Sequence, residues 1–156
     1  KQGMASFRGV DRRFDFKIKT SRLVFLSDYA HHPAEIAQSV KSVRELYKDK
    51  KITAIFQPHL YTRTRDFYKD FADSLSLLDE VILTEIYPAR EQPIPGVSSR
   101  LIYDNLRPGI EKCICPKEDI LNLLSKKSVE VLIVLGAGDL DNYVPSITQL
   151  LEQQSK

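Results

Sequence analysis

The amino-acid sequence predicts an α/β domain of three layers. Its centre is a doubly wound, Rossmann-like and mainly parallel sheet, with an antiparallel strand or hairpin at the start. Short apolar runs alternate along the chain with segments in which apolar residues recur every three or four positions. The run at 131–135 is apolar throughout, as in a strand buried on both faces. No repeat or linker interrupts the 156 residues, so one domain covering 1–156 is expected.

The first half of the chain predicts a hairpin followed by two helices with a strand between them. Apolar and polar residues alternate over 14–18, which predicts a hairpin leading into a core strand at 23–26. Pro33 stands at the first position of an amphipathic helix of about four turns. A strand is expected at 52–56. The helix after it has a predicted buried stripe of Phe67, Phe71, Leu75 and Leu78.

The second half continues the alternation of strands and helices. Parallel strands joined in this way require right-handed crossovers, so helices are expected on both faces of the sheet. The expected elements are a strand at 81–83, a short helix at 98–106, a short strand at 112–115, a helix marked by Ile120, Leu121 and Leu124, a strand at 131–135, and a closing helix marked by Tyr143, Val144, Ile147, Leu150 and Leu151.

Composition excludes several classes of protein. Lys and Arg number 23 against 21 Asp and Glu, a net charge of +2, so no nucleic-acid partner is predicted. The apolar runs are too short to span a membrane, and the charged first twenty residues do not resemble a signal peptide. Cys113 and Cys115 are too close together for an ordinary disulfide, which favours a reducing cytoplasm. Met4 lies inside the opening segment, which suggests a chain cut from a longer one.

Polar residues that could take part in catalysis or ligand binding follow the predicted strands. Ligands of open α/β sheets bind beyond the carboxyl ends of the strands, where loops and helix amino-termini converge. All three histidines lie in the first two of these loops. The loops in question are 28–33, 57–66, 85–91 and 136–139.

Each of these residues also has a purely structural interpretation. Asp28 and His32 are suited to capping backbone donors before a helix. The three histidines lack the spacing of a helical metal site, so no metal site is predicted. Arg63 and Arg65 occupy a first helical turn, where the helix dipole disfavours cations. Their position therefore predicts an anion close by, such as a carboxylate.

The glycines at 136 and 138 do not form a dinucleotide-binding fingerprint. Its third glycine would fall on Asp141, and Asp139 would add negative charge beside a pyrophosphate. A tight turn with a capping aspartate is the better interpretation. The sequence also contains no phosphate-binding loop of the ATPase type.

Five segments resemble the carboxy-terminal domain of the Mur ligase family, in the branch that adds L-alanine to UDP-N-acetylmuramate. They lie in the family's order and span nearly the whole chain. The segments are GVDRRF at 9–14, DYAHHP at 28–33, FQPHLYTRTRD at 56–66, EIYPAREQPIPG at 85–96 and GAGD at 136–139.

The resemblance implies an ATP-dependent ligase of peptidoglycan synthesis, and hence a role in cell-wall formation, cell shape and division. Such enzymes form an acyl phosphate with ATP, which the amino acid then attacks. Amino-terminal and central domains absent from this chain would hold UDP-N-acetylmuramate, most of the ATP and Mg²⁺. The chain alone is therefore expected to be inactive.

The resemblance also assigns roles to residues. It implies that Asp28 accepts hydrogen bonds from the ATP ribose and that Arg13 lies near the phosphates. Tyr29, His31, His59 and Arg63 would form the L-alanine pocket. In that pocket, Arg63 would pair with the carboxylate, and His31 and His59 would position the ammonium group or assist its deprotonation.

Two positions depart from the family pattern. Leu60 stands where relatives commonly have arginine, so one cation of the site is expected to be missing. Ser27 stands where an acidic residue is frequent. Three alternatives remain at this point: a metal-dependent hydrolase using the three histidines, a non-catalytic interaction module, and a Mur ligase that recycles a preformed peptide.

Overall fold

A six-stranded sheet forms the centre of the part of the chain that the structure describes. The computed structural model describes residues 14–156. The strands are β1 (Asp15–Lys19), β2 (Val24–Asp28), β3 (Ile52–Phe56), β4 (Glu80–Leu83), β5 (Glu111–Ile114) and β6 (Val131–Leu135). Their order across the sheet is β1-β2-β6-β3-β4-β5. β1 runs antiparallel to β2, and the remaining neighbouring pairs of the described sheet are parallel.

Helices cover both faces of this sheet, as predicted. They are α1 (Pro33–Leu46), α2 (Tyr61–Ser74), α3 (Arg100–Asn105), α4 (Ile120–Ser125) and α5 (Val144–Gln154), with 3₁₀ turns at Lys117–Asp119 and Asp139–Tyr143. The first three pack on one face, and α4 and α5 pack on the other. The three-layer fold with an antiparallel hairpin at its start is confirmed.

The two cores explain why β6 is apolar throughout. Alternate side chains of a strand point to opposite faces, so a strand covered on both sides must be apolar at every position. Residues 131, 133 and 135 of β6 contribute to the core under α1, α2 and α3. Leu132 and Val134 contribute to the core under α4 and α5.

One predicted core residue is exposed. Phe67 keeps 42% of its surface accessible, whereas Phe71 is fully buried. The backbone of Phe67 leaves the helical region, with φ −128° and ψ 17°, and this kink changes the phase of the helical face. Leu75 and Leu78 are buried as expected, although α2 ends at Ser74.

The two cysteines lie at the β5 edge of the sheet as free thiols, Cys113 half-buried and Cys115 buried. Burial raises the pKa of both thiols, that of Cys115 to about 11. None of the helices in the described part of the chain is long and apolar enough to cross a membrane.

A buried carboxylate lies where β4 begins, at the edge of the sheet opposite the polar loops. Glu80 is only 3% exposed. Its oxygens lie 2.6 Å from Nζ of Lys127 and 3.5 Å from Nζ of Lys51, and it accepts a hydrogen bond of 3.1 Å from the Thr53 hydroxyl. This network connects β3, β4 and the loop before β6.

Candidate active site at the carboxyl ends of the strands

Backbone hydrogen bonds join the loops after β3 and β4 side by side. The amide of Tyr87 donates to the Pro58 carbonyl at 2.8 Å, and the amide of Leu60 donates to the Tyr87 carbonyl at 2.8 Å. The ring of His59 consequently stacks on that of Tyr87, with centroids 5.5 Å apart and planes 12° apart. The two loops therefore form an isolated parallel bridge between His59 and Tyr87, which holds His59 beyond the carboxyl end of β3.

His59 and Arg63 form a direct contact. Nη1 of Arg63 lies 3.0 Å from Nδ1 of His59. A guanidinium can only donate, so Nδ1 of His59 is the acceptor and the ring proton lies on Nε2. Burial, Arg63 and His31 each lower the pKa of His59, which favours the neutral ring. His59 therefore presents an Nε2–H donor.

His31 has the opposite tautomer. Its Nδ1 lies 3.0 Å from the Tyr29 carbonyl and 3.6 Å from a Glu35 oxygen, and both of these groups are acceptors. The neutral ring therefore carries its proton on Nδ1 and leaves Nε2 as a proton acceptor. His31 contacts the Tyr29 ring at 5.4 Å and the His59 ring at 5.8 Å, both edge to face.

The four residues expected to form one pocket are thus adjacent in the structure. Tyr29 and His31 follow β2, whereas His59 and Arg63 follow β3, and strand order brings these loops together across β6. His32 is exposed and serves as the N-cap residue of α1. The predicted position of His32 before α1 is confirmed, and its own amide donates to the Glu35 side chain at 3.3 Å.

Asp28 is 5% exposed and makes internal hydrogen bonds. Its Oδ1 accepts the Ala30 amide at 2.9 Å, and its Oδ2 accepts the Ser39 hydroxyl at 2.6 Å. It also lines a shallow cleft with Tyr29, Gly136 and Asp141. Arg13 lies outside the described residues.

The anion expected near Arg63 and Arg65 is partly supplied by the chain itself. The Glu91 carboxylate accepts the amides of Tyr61 at 2.6 Å and Thr62 at 3.0 Å, the first two residues of α2. Arg65 is exposed and pairs with Asp66 at 2.8 Å. Among the described residues, no carboxylate lies within ion-pair distance of Arg63.

The glycine-rich loop after β6 packs against Gln57 of the loop after β3. The Gln57 side chain donates to Asp139 at 2.8 Å and accepts the Leu140 amide at 2.9 Å. A Cβ on Gly138 would lie 2.4 Å from Oε1 of Gln57 and 2.8 Å from Cβ of Tyr87. Close packing explains this glycine without a nucleotide.

Asp139 is expected to cap a tight turn, but its carboxylate binds side chains from two other loops. Its carboxylate pairs with Nζ of Lys117 at 2.8 Å as well as with Gln57. Burial alone would raise the pKa of Asp139, but the hydrogen bonds from Lys117 and Gln57 outweigh it and lower the pKa. The carboxylate is therefore ionised and joins the loops after β3, β5 and β6.

Two further cavities are present, one beside these loops and one far from them. A cleft of about 350 Å³ is lined by Glu85, Tyr87, Lys117 and Asp139 and shares Tyr87 with the histidine site. A larger cavity of about 450 Å³ lies at the opposite edge of the sheet, between Arg22, Lys127 and α5. Within residues 14–156, no three His, Cys, Asp or Glu side chains are grouped so that they could hold a metal ion.

The fold and the loops define a Mur ligase domain. The family model described as "Mur ligase, glutamate ligase domain" matches residues 12–140, so this chain belongs to the Mur ligase family and matches its carboxy-terminal domain. A relative from Phocaeicola vulgatus, named UDP-N-acetylmuramate--L-alanine ligase, is 77% identical over 154 residues. A relative of the same name from Parabacteroides distasonis is 56% identical over 154 residues.

The matches cover this chain and about a third of each relative. The alignments span 99% of this chain, 34% of the Phocaeicola protein and 33% of the Parabacteroides protein. The crystal structure of UDP-N-acetylmuramate-alanine ligase MurC from Thermotoga maritima aligns with a TM-score of 0.74 and 30% identity, covering 99% of this chain and 33% of that one. A murein peptide ligase from Psychrobacter arcticus has the same fold, with a TM-score of 0.73, 18% identity, and coverage of 96% and 32%.

The low pKa of His59 leads to a testable pH dependence. We expect an NMR titration of the chain to give a His59 midpoint below the ordinary histidine value of about 6.5. The Arg63→Ala substitution should raise that midpoint, because it removes a neighbouring cation. Because the pKa of His59 is lower in the folded chain, the unfolded chain binds more protons once the pH falls below about 6.5. His59 should therefore lower the free energy of unfolding as the pH falls below that value. A midpoint unchanged by the substitution would contradict the assigned contact.

Proposed function

We propose that this chain is the amino-acid-binding domain, 1–156, of an ATP-dependent ligase that joins L-alanine to UDP-N-acetylmuramate in peptidoglycan synthesis. The observation that carries the proposal is the 77% identity, over nearly the whole chain, to a relative named for this reaction. The cluster of Tyr29, His31, His59 and Arg63 supports it. Amino-terminal and central domains would complete the enzyme in the cytoplasm, where it would support cell-wall growth, cell shape and division.

Arg63 is the proposed partner of the L-alanine carboxylate. Its guanidinium presents donors in a fixed fork that matches a carboxylate, and one of its nitrogens is already oriented by His59. Since no carboxylate of the described residues pairs with it, the substrate can supply the counter-charge. His59 would add its Nε2–H as a neutral donor to the same carboxylate or to the developing phosphate.

His31 is the better proposed acceptor for the amine proton. L-alanine must lose a proton from its ammonium group before the nitrogen can attack a carbonyl carbon. In the neutral His31 ring, Nε2 is the nitrogen without a proton, whereas Nδ1 of His59 is bonded to Arg63. In this proposal the amine attacks the acyl carbon, inorganic phosphate leaves, and the nitrogen's remaining extra proton passes to solvent.

The nucleotide would lie against the adjoining loops. Asp28 would accept from the ribose and Arg13 would approach the phosphates, while the central domain would hold most of the ATP and Mg²⁺. ATP supplies the phosphoryl group that activates the sugar carboxylate. Domain closure would be needed to bring that carboxylate to the alanine pocket, so the chain alone should not consume ATP.

Phosphate release by the full-length polypeptide that contains this domain tests the proposal. The assay contains ATP, Mg²⁺ and UDP-N-acetylmuramate, with L-alanine present, omitted or replaced by an L-alanyl peptide. Release that requires free L-alanine is expected. Release that requires the peptide would instead support a recycling ligase, and release independent of both would contradict an amino-acid ligase. The relatives' names do not favour the recycling ligase or a non-catalytic module.

A further inference from the structure

The start of α2 lacks the usual cap of a helix. Ser, Thr, Asp and Asn are preferred before the first turn because their side chains accept its free amides. Leu60 occupies this position and has no such acceptor. Its backbone has φ 78° and ψ 137°, a conformation that costs energy for a residue other than glycine.

Glu91 replaces the missing cap from a loop thirty residues away. One oxygen accepts the amides of Tyr61 and Thr62, and the other accepts the Thr62 hydroxyl. The turn that presents Glu91 closes through its own amide, which donates to the Pro88 carbonyl at 2.8 Å. The hydroxyl and amide bonds outweigh desolvation and lower the pKa of Glu91, so the capping group is an anion.

The position of Arg63 depends on this first turn. Arg63 is the third residue of α2, immediately after the two residues whose amides Glu91 holds. The other end of the same loop holds His59, through the bonds between Tyr87, Pro58 and Leu60. One loop after β4 therefore constrains both members of the His59–Arg63 pair.

We infer that Glu91 is a positioning residue for L-alanine: it fixes the first turn of α2 so that Arg63 and His59 face the substrate carboxylate together. The inference rests on the proposed function. Glu91 also occupies the positive end of the helix dipole and the two free amides there. A substrate carboxylate is thereby directed to Arg63 and away from the helix end.

The kinetic test compares Glu91→Ala with Glu91→Gln in the full-length polypeptide. Glu91→Ala should raise KM for L-alanine roughly tenfold, as expected for the loss of charge-assisted hydrogen bonds that orient a binding group. KM for ATP and for UDP-N-acetylmuramate should stay the same. Glu91→Gln keeps an acceptor oxygen for the two amides and should restore KM to within about threefold. Asp70→Ala, which removes an exposed carboxylate from α2 itself, is the matched control.

Amide hydrogen exchange in the 156-residue chain gives a second readout. Glu91→Ala should accelerate exchange at Tyr61 and Thr62, and Glu91→Gln should largely preserve the wild-type rates. An unchanged KM for L-alanine in Glu91→Ala would overturn the inference, as would an equal rise of all three KM values or a glutamine variant as impaired as alanine. If phosphate release by the wild-type polypeptide did not depend on L-alanine, the proposed function would be wrong. The exchange rates of Tyr61 and Thr62 would still test whether Glu91 caps α2.

Discussion

Replacing Arg63 with alanine should lower kcat/KM for L-alanine by roughly 10²- to 10³-fold, the loss expected when one partner of a close charge pair is removed. Two effects combine. Under the proposed function the substrate carboxylate would lose its counter-charge, and His59 would lose the contact that sets its tautomer. Phosphate release by the full-length polypeptide at varied L-alanine measures the change.

Two matched variants separate these effects from general damage. Arg65→Ala removes an equal charge two residues away, but Arg65 is exposed and paired with Asp66, so activity should be nearly unchanged. Arg63→Lys keeps the charge without the planar fork and should recover only part of the activity. If Arg65→Ala were as damaging as Arg63→Ala, direct carboxylate recognition by Arg63 would be wrong.

Removing the Glu80 carboxylate should have the largest effect on stability among the charged groups described above. Glu80→Ala should lower the free energy of unfolding by about 2–4 kcal/mol, because Lys127 and Lys51 lose their shared anion and the buried Thr53 hydroxyl loses its acceptor. Urea unfolding of the chain, followed by circular dichroism, measures the loss.

Burial distinguishes this network from an ordinary surface ion pair. Glu111 also pairs with Lys51, at 2.9 Å, but its side chain is 57% exposed. Glu111→Ala should therefore change stability little. Glu80→Gln keeps an acceptor for the Thr53 hydroxyl, so its loss of unfolding free energy should lie between those of Glu80→Ala and Glu111→Ala. Equal effects of Glu80→Ala and Glu111→Ala would show that burial of the carboxylate is unimportant.

The elements and the clustering of the candidate residues could be predicted from the sequence for clear physical reasons. Apolar periodicity reports which side of a helix or strand is buried, and the alternation of elements leaves few ways to order a parallel sheet. Polar loops after β2 and β3 then had to meet at one edge. The adjacency of His31, His59 and Arg63 follows from that geometry.

The features that the sequence did not reveal depend on long-range contacts or on local backbone conformation. Glu91 caps a helix thirty residues away, and Gln57 binds a loop eighty-two residues away, at Asp139. No local pattern marks such partners. Helical periodicity predicts a buried Phe67 because it assumes an unbroken helix, whereas the backbone is irregular at that residue. Leu60 at the N-cap position of α2 is the sequence signal here, because its side chain cannot accept the free amides and a distant acceptor is needed.

Burial and a raised pKa make the Cys115 thiol, just after β5, a poor target for sulfhydryl reagents. At neutral pH a thiol with a pKa of about 11 has only about one molecule in ten thousand as thiolate, the form that reacts. Cys113 is half-buried, and burial raises the pKa of its thiol as well. A cysteine introduced on the exposed surface near Glu91 would consequently react first, so a fluorescent label could report movement of this loop without removal of either native cysteine.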